Sequence, residues 1–194
     1  MIVGFNAMNH PQQIAKRGAR PEVDDRATAP EVFAQLDERF RFTIDVAALP
    51  HNRKCKRYFA PPGFTVCGCM WRPECPPDCR CPHEEQSPVG VDGLARTWAC
   101  ERVWCNPPYS SIEPWIEKAH AEWSIGLCDL IVMLLPANRT EQGWWQRQVE
   151  PYRDGHGPIR VEFLPGRLRF IAHDRTEIKP NERPPLRVLL TYLG

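Results

Sequence analysis

Apolar residues recur with two different periods along this chain, and the switching between them predicts its elements. Val32, Phe33, Leu36 and Phe40 fall on one helical face. Thr28-Ala29-Pro30-Glu31 predicts where that helix starts, because Thr followed three residues later by Glu is a capping box and Pro is tolerated in a first turn. Residues 42–46 alternate and are rich in β-branched and aromatic types, so they predict a strand, with Ala47 and Ala48 at its carboxyl end. Residues 102–105 predict a second short strand, which runs into Asn106 and two prolines that must end its pairing. Ser110 or Ser111 is placed to cap the next helix, whose Trp115, Ile116, Ala119 and Trp123 share a face.

Residues 130–135 form a continuous apolar run closed by Pro136, the pattern of a central parallel strand covered on both faces. Further strands are predicted over 159–164, over 167–171 after the Pro165-Gly166 turn, and over 186–193. Strands separated by helices predict an α/β fold with a doubly wound sheet and a hairpin-like ending. Such sheets bind ligands beyond the carboxyl ends of their strands, which directs attention to Asp45, Ala47 and Ala48 and to the segment after Cys105.

Composition changes this picture in two places. Residues 1–25 mix Asn, Gln, Arg and Pro without apolar periodicity and read as a disordered arm. Residues 61–91 turn abruptly to Cys and Pro and read as an insertion into one domain spanning 26–194, since 194 residues are too few for two full-sized domains. Apolar residues at 42% and charged residues at 25% are ordinary for a globular protein. A net charge of +1 excludes nucleic-acid binding by bulk charge, so any phosphate contact needs a local basic patch. With no apolar run of roughly 18 residues and no secretory signal pattern, the chain reads as cytoplasmic and not membrane-bound. Its nine cysteines then read as thiols and metal ligands before disulfides.

The segment Asn106-Pro107-Pro108-Tyr109 carries the most chemistry. An exocyclic amine conjugated to an aromatic ring is a poor nucleophile, because its lone pair is delocalised. A site that holds both amino hydrogens on acceptors steers the lone pair out of the ring plane. Asn106 offers a side-chain carbonyl, and the peptide carbonyl of Pro107 offers a second acceptor whose direction the adjacent prolines restrict. Tyr109 is suited to stack on the base so presented. Rate enhancement would then come from orientation and electrostatic placement, with no covalent enzyme intermediate. A base stacked in a duplex reaches such a loop only by flipping out. The opposing reading is a plain turn, since Asn and Pro are common turn formers; the position between a predicted strand and helix favours the site.

Several motifs in order resemble those of the phage-type DNA N-6-adenine methyltransferase family. They are Thr28 to Phe33, Phe42 to Ala48, Cys55-Lys56-Arg57-Tyr58-Phe59, Asp92-Gly93-Leu94 with Trp98, and Val103 to Ser110. Val132 to Ala137, Trp144-Trp145 and Phe163 to Phe170 extend the likeness. The resemblance implies a Rossmann-like methyltransferase sheet, S-adenosylmethionine as methyl donor, N6 of adenine in DNA as acceptor and a phage or prophage origin; the enzyme is expected to be site-specific, with loose sequence specificity because little chain remains for a target-recognition domain. It further implies that Asp45, Ala47 and Ala48 lie beside the methionine part of the donor, Thr28 and Pro30 near its carboxylate, and Asp92 near its adenine or ribose. The chain departs from methyltransferases at large in lacking a Gly-x-Gly loop after the first strand, where Ala47-Ala48 stands.

Cys67, Cys69, Cys75, Cys79, Cys81 and His83 crowd the insertion, and four of these would close a tetrahedral structural zinc site. The spacing matches no standard finger, and a metal-free thiol loop is the alternative. Cys55, Cys100, Cys105 and Cys128 read as ordinary packing cysteines. Arg53, Lys54, Lys56 and Arg57 form the densest basic run and are candidate phosphate contacts, with Arg139, Arg167 and Arg169 behind them. Alternatives that share the amine-presenting logic are methyl transfer to N4 of cytosine, to RNA adenine or to protein glutamine. A catalytically inert, zinc-containing DNA-binding protein is the alternative from another class.

Overall fold

A strand buried on both faces needs partners on both edges and apolar layers above and below. The run at 130–136 meets all four requirements. The structure, a computed structural model, describes residues 26–64, 88–154, 157, 159–165, 170–172 and 187–193. In chain order its elements are β1 (Arg26–Thr28), α1 (Pro30–Phe40), β2 (Ile44–Asp45), β3 (Arg57–Ala60), β4 (Gly90–Val91), β5 (Arg102–Cys105) and α2 (Glu113–Ser124). There follow β6 (Leu130–Pro136), α3 (Gly143–Gln148), a 3-10 turn (Glu150–Tyr152), β7 (Ile159–Phe163), β8 (Phe170–Ala172) and β9 (Arg187–Leu193).

Seven strands form one sheet in the order β4-β3-β2-β5-β6-β9-β7, and β1 pairs with β8 in a separate antiparallel ribbon. The neighbours from β4 to β6 are parallel; β9 runs antiparallel to both β6 and β7. Side chains alternate across the pleat as a two-residue period requires. Ile131, Met133 and Leu135 of β6 join Ile116, Ala119, Trp144 and Trp145 in one layer. Leu130, Val132 and Leu134 join Leu36, Phe40 and Trp104 in the opposite layer. Helices α2 and α3 thus cover one face and α1 the other, an arrangement compatible with a Rossmann-like α/β fold.

Three expectations need correction at element ends. Thr28 does not cap α1: Ala29 occupies the cap position without a side-chain hydrogen bond. The extended backbone of Thr28 is already committed to the ladder with Phe170. Neither Ser110 nor Ser111 caps α2, which begins at Glu113 behind Ile112, because Ser111 N–H donates to Pro108 O at 3.1 Å and adds a turn first. The predicted strand over 42–46 keeps regular geometry only at Ile44–Asp45, although Thr43 and Val46 N–H still bond to β5 carbonyls. Phe42 instead serves as an aromatic wedge between Phe33 and Trp104, at ring distances of 5.7 and 5.3 Å.

The strands expected over 159–164 and 186–193 form as β7 and β9, and the one over 167–171 has its described part in β8. The expected hairpin-like ending takes a less local form, with the last strand inserted between β6 and β7. At the other edge, Gly90–Val91 continues the sheet as β4 inside the stretch read as an insertion. Residues 1–25 and 65–87, which include the arm and all six candidate metal ligands, lie outside the described residues. Among the described residues no group of His, Cys, Asp and Glu is arranged to hold a metal, and no helix is long and apolar enough to cross a membrane.

Candidate functional site at the sheet switch point

The chain builds outward from β2 through β3 to β4, then returns to add β5 and β6 on the other side of β2. The loops leaving β2 and β5 therefore diverge and leave a crevice beyond their carboxyl ends, the place where open α/β sheets bind ligands. A cavity of about 520 Å³ occupies it, within the range typical of small-molecule sites. Asp45, Ala47 and Ala48 enter from the end of β2, Asn106 and Pro108 from the end of β5, and Asp92 from the end of β4. Thr28 reaches the same cavity from β1. Of the residues expected around one ligand, Pro30 alone stays out of the lining, exposed in the first turn of α1.

Asp45 supplies the cavity's buried charge, with 3% of its surface exposed. Its carboxylate accepts N–H groups of Ala47 at 3.3 Å and Lys54 at 3.0 Å. Burial nevertheless dominates, because removing an ion from water costs more than two backbone bonds return. The carboxyl is pushed up to about 6. Lys54 also lines the cavity; burial lowers its amine, while the charges of Asp45 and Glu31 pull it back up. Among the described residues the Thr28 hydroxyl is buried with no hydrogen-bond partner, an expensive state for a polar group that a polar ligand atom in the cavity would relieve.

The Asp92 loop closes the far wall. Asp92 takes the left-handed conformation (φ 62°), which Asp tolerates better than most residues, and its N–H donates to Ala60 O at 2.8 Å. Gly93 follows because nothing larger fits: a Cβ there would stand 2.1 Å from Val46 O. Trp98 Nε1 donates to Gly93 O at 2.9 Å, and the Trp98 N–H donates to the buried Glu122 carboxylate at 2.8 Å. Glu122 also pairs with Lys118 at 2.5 Å. The loop is thereby tied to α2.

The Asn106–Tyr109 loop is braced from behind. Asn106 and Pro108 face the cavity, and Pro107 is buried. The Tyr109 hydroxyl donates toward Asn106 Oδ1 at 3.1 Å, with Leu134 O at 3.4 Å as a second acceptor. The guanidinium of Arg187 lies over the Tyr109 ring, 4.8 Å from its centroid. Arg139 donates to Tyr109 O at 2.7 Å. Tyr109, Ser110, Arg139, Gln142 and Trp144 border a second cavity of about 360 Å³, which shares Ser111 with the first.

The basic run does not act as one patch. Lys54 turns to the first cavity. Arg53 donates to Pro50 O and stacks 5.5 Å from the centre of Tyr58. Arg57 sits at the amino end of β3, opposite the cavity, and pairs with Glu101 at 2.5 Å. Lys56 is exposed. Arg139 lies beside the second cavity, while Arg167 and Arg169 fall outside the described residues. Cys55, Cys105 and Cys128 are buried, and burial pushes each thiol up and away from reactive thiolate. Sequence reading overlooked Arg187, which heads an apolar strand and carries no local signal that it turns inward. It also missed Glu122, whose helical neighbour Trp123 had been expected on the packed face.

An α/β sheet with a cavity at its switch point, bearing a buried carboxylate and rimmed by an Asn-Pro-Pro-Tyr loop, defines the class of this protein as α/β with a candidate ligand site. The family model described as DNA N-6-adenine-methyltransferase (Dam) matches residues 87–192. The chain belongs to that family. The matched stretch contains Asp92, the Asn106–Tyr109 loop and Arg187, and begins after Thr28 and Asp45. No curated protein matches the chain.

Proposed function

We propose that the protein transfers the methyl group of S-adenosylmethionine to the N6 amino group of adenine in DNA, with the Asn106–Tyr109 loop as the catalytic centre. The observation that carries this reading is the meeting of Thr28, Asp45 and Asp92, from three separate strand ends, in the cavity that Asn106 and Pro108 also line.

The residues fit the methyl donor. Its ammonium and hydroxyl groups call for carboxylates, which Asp45 and Asp92 supply. Its carboxylate calls for a donor, which the Thr28 hydroxyl, without a partner among the described residues, supplies. Ala47, Ala48 and Trp115 offer apolar surface for the rest. When bound, the donor provides an electrophilic sulfonium methyl. The protein's own contribution is to hold the acceptor: Asn106 Oδ1 and the Pro107 carbonyl take the amino hydrogens, so the nitrogen lone pair leaves conjugation and points along one direction. The adenine must leave the stack to arrive there. Tyr109, on the border of the second cavity, would stack on the extruded base.

The test is incubation with isotopically labelled S-adenosylmethionine and unmethylated duplex DNA, followed by nucleoside analysis. Labelled N6-methyladenine is expected from the wild type and none from Asn106→Ala. Donor binding without label on any base would overturn DNA as the acceptor and direct the search to RNA or protein.

A further inference from the structure

We propose that Arg187 is a positioning residue for Asn106 and acts through the hydroxyl of Tyr109. The proposal rests on the amino-methylation reading above, and it assigns a role to a strand on the far side of β6 from the catalytic loop. Because β9 is antiparallel to β6, its first residue pairs with Pro136. This register brings Arg187 to the same end of the sheet as Asn106.

Arg187 is 1% exposed, a costly position for a guanidinium unless its charge is used locally. It lies over the Tyr109 ring at 4.8 Å, so its positive charge acts on the phenol directly. A cation held there draws electron density from the phenol oxygen and makes the hydroxyl a stronger donor. The hydroxyl hydrogen then has two acceptors within reach, Asn106 Oδ1 and Leu134 O. The nearer acceptor is Asn106 Oδ1 at 3.1 Å. A one-way chain results, from Arg187 to Tyr109 to Asn106, in which the cation polarises the phenol and the phenol polarises the amide.

The chain fixes which end of the Asn106 amide carries oxygen and leaves one lone pair of Oδ1 for an amino hydrogen of the substrate. Arg139 removes the alternative of a swinging loop by holding the Tyr109 carbonyl at 2.7 Å. Burial pushes the phenol up to about 12, so the hydroxyl keeps its hydrogen throughout the neutral range. Tyr109 thus has a duty in its hydroxyl that stacking alone would not require.

The experiment compares Arg187→Met, Arg187→Lys, Tyr109→Phe and the Arg187→Met/Tyr109→Phe pair. Arg187→Met and Tyr109→Phe should each lower kcat by roughly 10- to 100-fold, the scale of a lost orienting interaction, while donor Kd and the KM for DNA stay within about threefold. Arg187→Lys should recover part of the loss. The double variant should be no slower than Tyr109→Phe, because both changes cut one chain. Losses that multiply, or a wild-type kcat in Arg187→Lys together with Arg187→Met, would overturn the proposal. A second readout needs no activity: the Asn106 side-chain amide resonance, identified with Asn106→Ala, should move in both Arg187→Lys and Tyr109→Phe. A resonance that ignores Arg187→Lys would sink the relay even if the wild type methylates nothing, an outcome that would count against the methylation reading alone.

Discussion

Replacing Asp45 by Asn turns its unfavourable burial into a measurable pH dependence. The carboxyl rises from 3.8 to about 6 on folding. At about 1.4 kcal/mol for each tenfold change in proton affinity, ionised Asp45 costs the native state about 3 kcal/mol. The sign follows from linkage. Below pH 3.8 both states hold the proton and no cost arises; between 3.8 and about 6 folding takes up a proton; above about 6 the cost is complete. Stability from this group is therefore present in acid and lost as pH rises through 6. Asn cannot ionise, but it has one acceptor for the N–H groups of Ala47 and Lys54, so a buried donor is left poorly paired at about 1–3 kcal/mol. The variant should be the less stable protein near pH 4 and should match or exceed the wild type near pH 8. Urea unfolding across that range, with equal m-values as a control, isolates the effect as wild-type minus variant stability. That difference should fall by roughly 2–3 kcal/mol between pH 4 and pH 8. A flat difference would mean that Asp45 is not buried as described. A rising one would mean that the two backbone N–H groups outweigh desolvation.

Other parts of the site give sharper stability tests. Thr28→Val removes a buried hydroxyl that has no partner among the described residues; thermal unfolding without ligand should show unchanged or higher stability, by up to about 1 kcal/mol, while calorimetry should show about 5- to 10-fold weaker donor binding on loss of one hydrogen bond. Gly93→Ala drives a Cβ into Val46 O and should cost about 1–3 kcal/mol together with donor affinity; wild-type affinity in a fully folded variant would show that the Asp92 loop lies outside the ligand site. Glu122→Gln keeps the shape but loses the charge that holds Lys118 and the Trp98 N–H. The interactions with Lys118, Trp98 and Thr97 overcome desolvation to lower this carboxyl, so its stability is present above the unfolded pKa and fades as pH falls through the folded one. The variant should lose about 1–3 kcal/mol at pH 7 and approach the wild type in acid, as urea titrations at the two pH values would show.

What was legible in advance was whatever a local period or a rigid residue encodes. The apolar run at 130–135 announced a strand covered on both faces, since only such a strand has no polar side to show. The prolines after Asn106 marked the end of β5, because proline removes the ladder donor, and so located the loop on the cavity rim. Asp45, Ala47 and Ala48 were placed at a strand's carboxyl end by the same kind of reasoning. Tertiary structure decided what each polar group is for, because that depends on partners far along the chain. Thr28 has the spacing of a helix cap, yet pairing with β8 commits its backbone and delivers its hydroxyl to the cavity. Lys54 and Arg57 stand three residues apart in one basic run, yet strand direction sends one to the carboxyl end of the sheet and the other to Glu101 at the amino end. Arg187 looks like the solvated head of a strand, and comes to lie over Tyr109 only when antiparallel register sets it opposite Pro136. Periodicity is a property of neighbours in sequence; charge pairing and desolvation belong to neighbours in space, and only the folded sheet names them.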